Sequence, residues 1–132
     1  MIKISNRDII AKTFPKTVVY INNTTIFCEH PQSQQDKEQG LRGRTYLFEH
    51  EGMLFDVNNR YQPLFVMDGV FIDLEAIFIS ADHKIKDIVP MRKLDGSTAY
   101  TTPLRIPIKY VIEVNKGFCN KFNVKLGDII KL

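Results

Sequence analysis

The chain has 132 residues, 44% hydrophobic and 25% charged, with a net charge of +3; that length supplies one modest core, and one domain spanning 1–132 is expected. Seven Gly and six Pro are too few for a fibrous or disordered chain, and no run approaches the roughly 18 apolar residues of a membrane span. Lys and Arg are dispersed among 15 acidic residues, and the densest basic stretches, "RGR" at 42–44 and "MRK" at 91–93, lack interleaved aromatics, so direct nucleic-acid binding is not expected.

The opening "MIKISNRDII" places Asn, Arg and Asp where a secretory signal needs an apolar run, which predicts a cytoplasmic protein, or host cytoplasm and virion if the source is viral. "TVVYI" at 17–21 and "TTIFC" at 24–28 are β-branched and aromatic runs separated by "NN", and they predict a hairpin. The polar "EHPQSQQDKEQG" then predicts a short covering helix from about Gln32 to Gln39, ending near Gly40.

Beyond it the chain is strand-like: "GMLFDV", "PLFVM", "EAIFIS", "KIKDIV" and "STAYTT", divided by turn signals at "NNRYQP", "SADHK" and "LDG". In "EHEGMLFDV", Glu49, His50 and Glu51 deliver the chain into a strand buried on both sides. In "IPIKYVIEV", Ile106, Ile108, Tyr110, Ile112 and Val114 share one parity against Pro107, Lys109 and Glu113, the pattern of a half-buried strand with an edge or bulge at Pro107. Asn115 is then placed to cap a short helix carrying Phe118, Cys119 and Phe122, and "NVKLGDIIKL" closes with a turn and a strand. So many short strands with two short helices predict a mainly β fold, a small antiparallel barrel or strongly curled sheet.

The blocks "QGLRGRTYLFEHEGMLFDV", "LFVMDGVFIDLEAIFIS" and "YVIEVNKGFCNKFNVKLGDII" resemble the DUF192 family, also called UPF0127, from about Gln39 onward. The resemblance rests on Gly40 and Leu41, on Gly52 to Phe55, on Phe65 and Met67, on Ile72, Leu74 and Glu75, and on Gly117, Gly127 and Asp128. It implies a small β-barrel-like domain and no assigned activity. The chain departs from the family pattern where Trp, Lys and Asn become Val66, Asp68 and Gly69, where Pro-Leu-Asp becomes Asp73, Leu74 and Glu75, and where an Arg becomes Gln39. A later Arg is kept as Arg44.

Five residues are candidates for binding. Asp73 and Glu75, two apart on an extended strand, project to one face about 7 Å apart, and Asp68 is placed to join them across a turn; the alternative is that they form the polar parity of a strand whose Ile72, Leu74, Ala76 and Phe78 fill the core. Arg42 and Arg44 flank a glycine and are suited to clamping an anion, or to pairing with surface acids such as Glu49 and Glu51. His50, with Cys28 or His30, has no metal-ligand spacing, and the two cysteines read as buried free thiols. In "KLGDII" the glycine suits a positive φ and Asp128 a bond to nearby backbone amides. No cofactor is expected. Three functions follow: a non-enzymatic binding barrel presenting loops at 42–44, 68–73 and 90–107; a structural subunit of a larger assembly such as a phage particle, since apolar family positions persist while polar ones are exchanged; and a metal-assisted hydrolase using the acidic residues. A protein partner or homo-oligomer is expected, with no membrane association.

Overall fold

The NN turn works as its residues dictate. In the computed structural model, which describes residues 9–132, β1 (Lys16–Ile21) and β2 (Thr24–Glu29) pair antiparallel from Lys16↔Glu29 to Ile21↔Thr24. Asn22 turns the corner at φ 55°, a left-handed conformation that Asn tolerates better than most side chains. The N-terminal stretch inspected for a secretory signal lies, through residue 8, outside the described residues.

Seven strands form one sheet in the order β6-β5-β8-β3-β2-β1-β9, built from the hairpin and β3 (Glu51–Tyr61), β5 (Leu74–Ile79), β6 (Ile85–Met91), β8 (Pro107–Asn115) and β9 (Ile130–Lys131). All neighbours are antiparallel except β2 and β3. A parallel pair needs a crossover, and residues 30–50 supply it, carrying α1 (Gln34–Gln39). The helix starts two residues later than expected because Ser33 caps it: the Asp36 N–H donates to Ser33 Oγ at 3.1 Å. A second, two-stranded sheet joins β4 (Phe65–Val66) to β7 (Ala99–Tyr100), so "PLFVM" and "STAYTT" yield only two strand residues each.

The large sheet curls until its ends meet. The Ile85 N–H donates to the Asp128 carbonyl at 2.9 Å and the Gly127 N–H to the Ile85 carbonyl at 2.8 Å, while Ile130 N–H reaches the His83 carbonyl at 2.9 Å. The "KLGDII" turn holds this junction as its residues predict: Gly127 has φ 90°, and Asp128 accepts from the Lys125 N–H at 2.8 Å.

Curling divides the apolar residues between two cores. Ile21, Ile26, Leu54, Ile77, Ile112 and Val114 pack on the inner face; Met53, Phe55, Met67, Phe78, Met91 and Val111 pack on the outer face, beneath Phe14, Leu41 and Leu47. Both parities of β5 are therefore buried, Leu74, Ala76 and Phe78 outward and Ile77 and Ile79 inward.

β8 corrects the expected half-buried pattern. It lies between β5 and β3 with both faces covered, so Val111 and Glu113 are buried along with Ile112 and Val114. Its parity also breaks: Ile108 joins the outer core, whereas Tyr110 packs on the inner one. The cause is a register shift opposite, where Asp56 pairs with Tyr110 but Arg60 with Ile108. Asn58 and Asn59 take φ 51° and 60° there, so the residues expected to be a turn instead form a bulge within β3.

Two further expectations change. Asn115 does not cap α2 (Phe118–Lys121); Gly117 occupies the cap position without a side-chain bond, and Asn115 Nδ2 donates to the Leu47 carbonyl. Residues 90–107 are no detached loop: Met91 and Thr102 are fully buried, and Tyr100 and Ile106 pack on the outer core.

Candidate functional site

The "RGR" stretch meets its partners inside the chain. Arg44, held between β2 and the N-terminal segment, binds both carboxylate oxygens of Glu29, with Nη2 to Oε1 at 2.7 Å, and also donates to the Lys12 carbonyl. Glu29 in turn accepts from the Phe14 N–H at 2.7 Å. Burial alone would raise the Glu29 carboxyl; the Arg44 and Phe14 hydrogen bonds and the charges of Arg44 and Lys16 together hold it below its ordinary value. Arg42 turns to a different partner, Nη2 donating to Asp68 Oδ2 at 3.0 Å. The predicted partners Glu49 and Glu51 instead pair with Lys121 and Lys16. The intervening glycine is no hinge: at φ 83° a Cβ on Gly43 would lie 2.8 Å from the Ile9 carbonyl oxygen and 2.9 Å from the Ala11 nitrogen, so the chain crosses there at a distance only glycine permits.

The three acids are likewise apportioned. Asp73 Oδ1 accepts from the Lys93 N–H at 2.8 Å, Glu75 Oε1 from the Cys119 N–H at 3.1 Å at the start of α2, and Asp68 belongs to Arg42. No group of three His, Cys, Asp or Glu side chains suited to a metal forms among the described residues. Asp73 and Glu75 thus act as struts, tying the start of β5 to the stretch after β6 and to α2. His50 is an exposed residue of the turn before β3; its Nδ1 lies 3.0 Å from the Thr25 carbonyl and its ring packs 4.7 Å from that of Phe122. Cys28 and Cys119 are free and buried, as expected.

The feature the sequence left hidden is Glu113. It points from β8 into the outer core, flanked across the sheet by Met53 of β3 and Ala76 of β5. A cavity of about 350 Å³ opens above it, between α1 with the following turn and β4, walled by Leu41, Phe55, Phe65 and Val70. Glu113 is 6% exposed, and its carboxyl has no hydrogen-bond or ionic partner among the described residues. Burial pushes it up to about 8. The charged side chains facing the same space are already engaged in part: Lys37 Nζ donates to the Asp56 carbonyl at 2.9 Å, and Glu38 accepts from Gln34 Nε2 at 3.2 Å. Arg42 Nε is buried without a partner among the described residues. An acid without a partner therefore stands in the wall of a chamber lined by apolar and polar side chains alike, a candidate small-molecule site. Of the five residues singled out in the sequence, only Arg42 lines it. Glu113 was legible in one respect: Val111, on its own parity, is apolar, as on a strand covered from both sides.

The sequence profile of the DUF192 family, described as "Uncharacterized ACR", matches residues 17–132. A protein of unknown function from Novosphingobium aromaticivorans DSM 12444 superposes with a TM-score of 0.81 at 22% identity, over 100% of this chain and 99% of that one. A proposed transcription regulator from Sinorhizobium meliloti 1021 superposes with a TM-score of 0.81 at 24% identity, over 91% of this chain and 95% of that one. At these identities the likeness establishes the fold. No curated protein matches the chain.

Proposed function

The chain belongs to the DUF192 family, and on that footing we propose that it is a non-catalytic binding domain that takes a small molecule into the cavity between α1 and β8. The observation that supports this is Glu113: burying an acid without a partner costs stability, and positions that depart from good packing in this way concentrate where function uses them. No nucleophile or metal cluster accompanies it among the described residues, so binding fits the chamber better than catalysis. Gln39 and Val66, two of the positions where the chain departs from the family pattern, also border the cavity; specificity here would then differ from that of relatives. Exposed Leu64 and Val66 at the rim offer an apolar foothold to a protein partner or a second copy beside the ligand. Fragment screening by two-dimensional NMR on the full chain tests the reading. Binders should shift the amides of Gly40, Leu41 and Val70, and Leu64→Trp at the exposed rim should weaken them while the sheet resonances stay in place. Binders that map elsewhere, or that ignore Leu64→Trp, overturn it.

A further inference from the structure

Resting on the reading of this cavity as a binding site, we propose that its ligand is a neutral, flat molecule with a hydrogen-bond donor beside an acceptor, of the amide, lactam or nucleobase kind, whose edge pairs with the Glu113 carboxyl. A protonated carboxyl presents an O–H and a C=O side by side, which match the C=O and N–H of such an edge in two parallel hydrogen bonds. The charge balance of the chamber favours neutrality. The ionisable groups facing it are Lys37 and Glu38 of α1, Arg42 after it, and Glu113 itself; the neighbours of Glu113 on β3 and β5 are Met53 and Ala76, which carry no charge.

An anion would meet no net positive charge, because Lys37 is offset by Glu38 beside it on α1 and Arg42 is paired with Asp68. A cation would first require Glu113 to ionise in an apolar setting, the state that burial disfavours. A neutral ligand needs neither. Phe55 and Phe65, with ring centroids 5.4 Å apart and planes inclined by 67°, present the apolar surfaces on which a flat body rests.

The isosteric series benzamide, benzamidinium and benzoate tests this by NMR titration of the full chain at about pH 6.5 and pH 9.5. Benzamide should bind best at the lower pH, shifting the amides of Gly40, Leu41 and Glu113. Its affinity should fall roughly ten- to thirty-fold at the higher pH as Glu113, with its value of about 8, ionises. Glu113→Gln, whose side-chain amide keeps a donor beside an acceptor, should retain benzamide and lose the pH dependence. Preference for benzamidinium or benzoate, or benzamide binding indifferent to pH in the unaltered chain, overturns the ligand class and leaves the cavity reading standing. Failure of all three to perturb the cavity overturns both.

Discussion

Arg44 and Glu29 show how a pair of charged residues can be structural rather than functional. Their side chains are the most enclosed of the ion pairs among the described residues, and between them they engage Phe14 N–H and the Lys12 carbonyl, pinning the segment before β1 over the outer core. Removing one partner leaves the other buried and unpaired. Arg44→Gln and Glu29→Gln should each cost about 3 kcal/mol or more. The double variant should cost clearly less than the two added, a coupling readable from urea unfolding curves; simple additivity would show that the two side chains act independently. Arg44 stood out in the sequence but its partner did not. Neighbours such as Glu49 and Glu51 are close along the chain, whereas Glu29 arrives only because β2 runs parallel beside β3, and that pairing leaves no local trace.

Among the elements, the hairpin was legible because its turn residues and β-branched runs act within a dozen positions. β8 was not. A strand covered on both faces reads as a nearly continuous apolar run, and here Pro107, Lys109 and Glu113 imposed a false alternation, while the bulge at Asn58 and Asn59 moved part of the strand from one core to the other. The same difficulty hid the candidate cavity, since its floor is a residue that alternation assigns to solvent. The stretch between β6 and β8 was misread for a related reason. Its polar composition resembles a loop, yet β7 pairs with β4 and Tyr100 packs on the outer core, while Tyr100 donates a hydrogen bond to Asp95. Excising residues 92–105 should therefore abolish the cooperative thermal transition followed by circular dichroism, by unpairing β4 and stripping Tyr100 from the outer core. A sharp transition in that variant would return the stretch to the status of an appendage.

For the whole molecule, two buried carboxyls set opposite limits on pH. The Glu29 value lies below its ordinary one near 4.5, so its contribution is present above that value and is lost as the solution becomes more acidic. The Glu113 value is raised from 4.5 to about 8; its contribution is complete below 4.5 and disappears as pH rises through about 8. These two groups place maximum stability near pH 5, with Glu113 lowering it by at most about 1.4 kcal/mol per unit on the alkaline side. Melting temperatures measured from pH 4 to pH 9 should trace this asymmetric dome, and Glu113→Gln should flatten its alkaline limb. An unchanged limb in that variant would mean that Glu113 ionises without penalty.

The curl of the large sheet has a kinetic consequence. Asn22 and Asp128 are joined by a 2.9 Å hydrogen bond across 106 positions of sequence, and residues 127–130 must find both β1 and the start of β6. Long loops of this kind close late. Until they do, each molecule carries two bare rims of backbone donors and acceptors, and the same segment of a neighbouring molecule fits those rims equally well. Refolding is thus a race between self-closure and exchange, and crowding the solution with protein tilts it toward interlocked pairs.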